Sequence, residues 1–233
     1  MPDIPLIHDL TTSPVPAGSN ILVEFAGGSQ WYNASLSITA GWLRSGGRVS
    51  YNTFAQTPDD LRRRLGRLGI NALELEKENE LRIVDWYTGT LGQRSKEKYK
   101  MDSLKVPDLS IHFSSEVMHE PLQPDWMRMA DNISMLARFN DEKTWVEFIL
   151  TRIIPSHRAR KTTGIVGCAK GIHSGWVYEQ LEGVVDGIVD LKLEEFDGEM
   201  VNFMRLRSMR ETGFESRWHR LKIGENFAIT LAR

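Results

Sequence analysis

The chain has 233 residues, 41% of them apolar, with 29 Lys and Arg against 31 Asp and Glu and a net charge of −2. That apolar share supplies a full core and excludes a disordered chain, while the balanced charge excludes a global basic field that would draw in nucleic acid. A single cysteine, Cys168, excludes an internal disulfide, and no apolar run reaches the roughly 18 residues of a membrane span.

Residues 1–19 are Pro-rich and irregular, and Pro16-Ala17-Gly18-Ser19 turns the chain into its first strand. The start lacks the basic region of a signal peptide, which with the lone thiol leads us to expect a cytoplasmic protein. Residues 21–25 predict a strand, 26–29 a small-residue turn, and the residues after it a helix with Ala34, Ile38 and Trp42 on one stripe, ended by Gly46-Gly47. Residues 48–54 read as a second strand. Thr57 as N-cap, Pro58 at the first helical position and Asp59-Asp60 in the first turn start a helix that stops at Gly69. Residues 81–87 are a third strand, and the polar stretch 88–108 reads as a mobile surface loop. Residues 109–118 suggest an amphipathic helix, 126–131 a strand ending in an acid, and 144–154 a helix. Residues 162–168 form a buried strand carrying Cys168 as a core thiol, and 175–181 a short helix. Residues 184–193 and 200–208 alternate as a hairpin about Asp197-Gly198, and 218–223 and 227–231 close the chain as strands. No linker divides the chain, so one domain over 1–233 is expected. Strand and helix alternate over the first two thirds, which argues for an α/β fold with a mostly parallel sheet and an antiparallel extension at one edge.

The strand, turn and helix at 21–36 have the layout that cradles phosphates, with backbone N–H groups and a helix N-terminus facing an anion. The phosphate-binding pattern itself, G-x-x-x-x-G-K-[ST], is missing. Laid over it, Phe25 and Gln30 stand at the two glycines, Trp31 at the lysine and Tyr32 at the hydroxyl residue.

Six segments carry a family resemblance. Ile4-Pro5-Leu6-Ile7-His8-Asp9-Leu10 with Pro16-Ala17-Gly18-Ser19 opens it, and Tyr51-Asn52-Thr53-Phe54 followed by Thr57-Pro58-Asp59-Asp60-Leu61 continues it. Asp131-Asn132-Ile133-Ser134-Met135-Leu136 has the form of a Walker B end. Gly171-Ile172-His173, then residues 185–191, then Met204-Arg205-Leu206-Arg207-Ser208-Met209-Arg210-Glu211-Thr212 complete the order. The chain resembles the KaiC/RadA branch of RecA-like ATPases, above all the single-domain KaiC-like proteins of archaea. The resemblance implies a RecA-like P-loop NTPase fold.

It also implies a site in which a Lys holds the β- and γ-phosphates, a hydroxyl holds magnesium and a paired Glu orients water. At the matching positions stand Trp31, Tyr32 and Ala55-Gln56, and Ser208 replaces a Lys that reaches a neighbouring subunit's nucleotide. Asp131, Arg210 and Thr212 keep the family's residue types. The site therefore reads as degenerate: Gly27, Gly28, Ser29, Trp31, Tyr32, Asn33 and Asp131 in the nucleotide position, with Arg210 and Thr212 toward a neighbouring subunit. No catalytic residue and no metal ligand set is expected, and no cofactor, ATP and magnesium included. Asp131 reads either as a magnesium carboxylate or as a strand-end acid bonded to Ser or backbone groups. Trp31 and Tyr32 read as core packing that fills a vacated pocket. Gly27-Gly28-Ser29 leave an anion at the helix N-terminus open.

Two functions follow. One is a pseudo-ATPase that regulates or scaffolds through a protein partner, either an intact KaiC/RadA-like subunit or a second copy of itself. The other is an ATP-binding recombinase paralogue holding single-stranded DNA through Arg62, Arg63, Arg64 and Arg67, with Trp86, Tyr87 and Trp126 as stacking candidates. The solvated helix face is the plainer reading of that Arg cluster.

Overall fold

β1 (Asn20–Phe25) is buried at every position, which is why Ile21-Leu22-Val23 is apolar on both faces rather than alternating, with Glu24 as a buried charge beside it. It sits at the middle of a ten-stranded sheet in the order β10-β9-β8-β7-β1-β6-β5-β2-β3-β4. The computed structural model describes residues 3–114 and 126–232. The other strands are β2 (Arg48–Thr53), β3 (Leu81–Asp85), β4 (Tyr99–Lys100), β5 (Trp126–Ala130) and β6 (Thr163–Ala169). They are followed by β7 (Gly187–Phe196), β8 (Glu199–Met209), β9 (His219–Ile223) and β10 (Ile229–Leu231). From β7 to β4 the neighbours are parallel, and β7, β8, β9 and β10 pair antiparallel, as expected from the sequence.

One face of the sheet is covered by α1 (Trp31–Arg44), α2 (Pro58–Arg67) and α3 (Ala72–Lys77), with the buried Ile4, Leu6, Ile7 and Leu10 of the N-terminal segment. The stripe Ala34, Ile38 and Trp42 is buried, as its spacing predicts. Thr57 caps α2 through the Asp60 N–H with Pro58 in the first turn. α3 has no counterpart in the sequence reading, although Asn71 caps it by accepting from Glu74 N–H.

The opposite face is covered by α5 (Val106–Ser114), α6 (Glu142–Phe148), α7 (Ile154–Arg160) and α8 (Gly175–Val184). α6 runs through a π-helical turn at Ile149–Ile153 into α7, so the helix expected at 144–154 is longer at both ends. The hairpin turn at Asp197-Gly198 has φ of 52° and 78°, the positive pair that matches strand twist.

The surface loop expected over 88–108 is corrected. A short α4 (Tyr87–Thr90) and edge strand β4 lie in it, and Met101 and Leu104 are buried. Asp85 at the end of β3 ties it down, accepting from Thr88 N–H at 2.9 Å and from the hydroxyls of Thr88 and Ser95, both at 2.6 Å. Composition alone misread a segment that Thr88 and Ser95 tie to a buried carboxylate and that Met101 and Leu104 anchor in the core. Of the helix expected at 109–118, residues 115–118 lie outside the described residues, and the described part starts three residues earlier.

Candidate functional site

The turn between β1 and α1 is built by its own backbone. Ser29 N–H donates to Ala26 C=O at 3.1 Å, and Gly28 takes φ of 78°, a conformation that suits glycine. Two more N–H groups are engaged from outside: Ala26 donates to Leu191 C=O at 3.0 Å and Gln30 to Asn202 Oδ1 at 2.9 Å. Leu193 of β7 closes on the turn, since a Cβ on Gly28 would lie 3.3 Å from its Cδ2. The Ser29 hydroxyl is buried without a hydrogen-bond partner.

Behind the turn three aromatic side chains pack together, Phe25 stacked on Trp31 and edge-on to Tyr32. The ring of Phe25 lies 6.0 Å from that of Trp31 and 5.7 Å from that of Tyr32. Trp31 is 1% exposed, and its Nε1 donates to Asp131 C=O at 2.6 Å. Gly167 of β6 makes the room, because a Cβ there would come 2.4 Å from the same indole nitrogen. The Tyr32 hydroxyl accepts from Asn132 Nδ2 at 3.1 Å, and burial with nearby Asp131 holds its pKa above the usual tyrosine value.

Asp131 is fully buried. Its Oδ1 accepts from Phe54 N–H at 2.7 Å, while Oδ2 has no partner. Burial outweighs the backbone donors and pushes its pKa up to about 7. A magnesium ligand is ionised and open to the metal; this carboxyl is enclosed and joins the ends of β2 and β5. Among the described residues, no group of three or more His, Cys, Asp and Glu could hold a metal ion.

One lysine stands at the end of β6, beside β1. Lys170 Nζ lies 3.0 Å from Glu24 and 3.2 Å from Asp190, both buried and adjacent in register on β1 and β7. Arg205 binds Asp190 at 2.8 Å, and Arg207 binds Glu24 at 2.9 Å and Glu182 at 2.7 Å. Burial first, then the hydrogen bond with Glu182, raises the pKa of Glu24 against the cations. Sequence reasoning missed this network; charged residues within two buried strands were its only signal.

The remaining expected residues are dispersed. Asn33 turns away from the aromatic stack, bonding Gln30 Oε1 at 2.6 Å and lining a hollow with Arg64, Arg67 and Phe227. Arg67 lies 5.5 Å over the Phe227 ring. Arg62 is bound by Asp59, Glu76 and Glu97 at 2.6–3.0 Å, and Arg63 by Asp60. Trp86 and Trp126 are buried, so neither presents an exposed face on which a single strand could stack, and Tyr87 is half-buried. Arg210 is exposed and donates to Gly183 C=O at 3.0 Å, while Thr212 is buried against Pro14. His173 packs on Trp145 with centroids 5.3 Å apart, 3.7 Å from Glu142. Cys168 is buried, and burial pushes its thiol up to about 12, an inert core position.

The family model of the KaiC ATPase matches residues 36–232. The chain belongs to the KaiC ATPase family. The match to the KaiC model begins inside α1, after the 26–30 turn. UPF0273 proteins are similar over nearly the whole chain. That of Thermotoga maritima is 23% identical over 94% of this chain and 90% of its own length. That of Methanopyrus kandleri is 24% identical over 94% and 86%. A KaiC-like protein of Pyrococcus horikoshii has the same fold, with a TM-score of 0.73, 20% identity and coverage of 100% of this chain and 97% of that one. No helix among the described residues is long and apolar enough to cross a membrane.

Proposed function

We propose that this KaiC-family chain is a pseudo-ATPase that works by protein contact, as a regulatory or scaffolding subunit beside an intact KaiC/RadA-like subunit or a second copy of itself. One observation carries the reading: the Trp31 indole is buried and hydrogen-bonded to Asp131 C=O at the position where the family's phosphate-binding Lys belongs. The residues do not fit a magnesium triphosphate. An indole brings no cation to the β- and γ-phosphates, and Tyr32 spends its hydroxyl on Asn132. Three N–H groups of the turn are taken, and Asp131 is enclosed. Ala55 and Gln56 leave no carboxylate to orient water.

Exposed apolar side chains are consistent with a protein contact. Ile172 and Trp176 expose 65% and 40% of their surface beside His173, in the loop after β6 and the start of α8. The DNA-binding alternative has less support, because carboxylates already bind Arg62 and Arg63. The test is calorimetric titration with Mg-ATP together with a turnover assay. No heat of binding and no phosphate release are expected; turnover that disappears in Asp131→Ala overturns the proposal. Sedimentation of the chain alone and mixed with an intact KaiC-like subunit of the same cell tests the contact half, and unchanged monomer in both overturns it.

A further inference from the structure

On the sheet face opposite α1, between strands β2, β3 and β5 and the helix running from α6 through the π turn into α7, lies a cavity of about 360 Å³. That volume lies within the range of small-ligand sites. Four arginines, Arg82, Arg128, Arg152 and Arg160, line it, and among the described residues no carboxylate does. The remaining wall is largely apolar, and Phe54 and Trp86 lie stacked in it with centroids 4.5 Å apart. The π turn supplies Ile149, Arg152 and Ile153, and such turns inside helices occur often at binding sites.

Arg128 is the decisive residue. It lines the cavity from β5, its Nε is buried without a hydrogen-bond partner, and among the described residues it makes no ion pair. Several other shielded charges of this chain are paired: Glu24 and Asp190 with Lys170, Arg205 and Arg207, and Arg62 with three carboxylates. A half-buried guanidinium whose Nε is shut off from water costs stability unless something supplies the negative charge. The electrostatics of the cavity agree. Burial, then Arg160 and Arg82, depress the guanidinium to about 10. The neighbouring His157 is held neutral by burial, Arg128 and Arg160. Its Nδ1 lies 2.7 Å from Asn20 Oδ1, and the Asn20 amide nitrogen donates to Gly18 C=O, so Nδ1 carries the proton.

We propose that this cavity binds a small organic anion, its phosphate, carboxylate or sulfonate group on Arg128 and the flanking arginines and its aromatic or apolar body against Phe54, Trp86 and Phe148. The charged group replaces the missing counter-ion, and the apolar wall removes the ligand body from water. The site is separate from the β1–α1 turn and needs neither ATP nor magnesium.

The test titrates the full chain with 8-anilinonaphthalene-1-sulfonate, an aromatic sulfonate whose emission rises in apolar surroundings, with AMP and inorganic phosphate as competitors. One saturable site is expected, displaced by AMP at concentrations at least tenfold lower than by phosphate. Arg128→Met should weaken the probe at least tenfold while melting at the same temperature as the native chain or higher, since it removes an uncompensated charge. Arg152→Gln, at the exposed rim, should weaken it severalfold without moving the melting temperature, and it decides the matter if Arg128→Met does not fold. Absence of a saturable site, equal displacement by phosphate and AMP, or unchanged affinity in Arg152→Gln overturns the proposal.

Discussion

The indole of Trp31 and the backbone carbonyl of Asp131, one hundred positions apart, are joined by a 2.6 Å hydrogen bond that ties the start of α1 to the end of β5. Trp31→Leu should therefore cost about 2–4 kcal/mol, as lost buried surface plus a cavity, and leave the Asp131 carbonyl unpaired. Denaturant unfolding checks it; a loss below about 0.5 kcal/mol would mean the ring merely occupies space that collapses without it. On the proposed pseudo-ATPase reading, the pair Trp31→Lys with Tyr32→Thr should show no ATP turnover in a phosphate-release assay, because Phe25, Gln30, Ala55 and Gln56 remain.

Asp131 makes stability depend on pH in a defined direction. Its folded pKa, about 7, lies above the ordinary 3.8, so between those values the folded chain holds a proton that the unfolded chain has released. Stability from this group is then greatest below that window and declines as pH rises through it. Asp131→Asn keeps an acceptor for Phe54 N–H and cannot ionise. Its melting temperature relative to the native chain should rise from near zero at about pH 4.5 to a gain of several degrees at about pH 8. A difference that stays flat across the range would contradict the shift. His157 acts in the opposite sense: held neutral below its ordinary 6.5, it makes the chain less stable as pH falls below that value. The comparison with Asp131→Asn cancels this contribution, which both proteins share.

The carboxylates Glu24 and Asp190 sit next to each other in the middle of the sheet, balanced by three cations. Removing one partner leaves charge buried. Arg207→Met should cost about 3 kcal/mol, and adding Glu24→Met to it should recover part of the loss. Thermal melts of the two single variants and the double variant give the coupling, and simple additivity would show the network to be of no energetic consequence.

Arg62 is a structural clamp in this architecture, joining α2 to Glu76 of α3 and to Glu97 before β4. Arg62→Ala should lower stability by about 1–3 kcal/mol, the range for charge-assisted hydrogen bonds that are partly shielded from water. It should leave the migration of labelled single-stranded DNA at low salt unchanged. Weaker retardation of DNA by a variant that melts normally would instead favour the recombinase reading.

Local patterns were readable from the sequence wherever one element carried its own signal. The apolar Ile21-Leu22-Val23 of β1, the spacing of Ala34, Ile38 and Trp42, the Thr57 cap and the Asp197-Gly198 turn each specify their structure within a few residues. The aromatic filling beside the turn was visible as Trp31 and Tyr32, but not the Asp131 carbonyl or the missing Cβ of Gly167 that hold the indole in place. The cationic cavity was hidden for the same reason. Its arginines come from β3, β5, the π turn and α7, and each one alone reads as an ordinary polar position. The stretch at 88–108 went the other way: polar composition suggested a loop, while two buried apolar residues and Asp85 fix it to the sheet.

The sheet stops at both margins in very short strands, two residues in β4 and three in β10. The strands next to the margins are only partly covered: among the described residues, β4 pairs with two of the five residues of β3, and β9 with two of the eleven of β8. The backbone groups of β3 and β8 beyond those pairs are where an added polypeptide strand would find a ladder to join, so a margin-to-margin contact would have to start there rather than on β4 or β10.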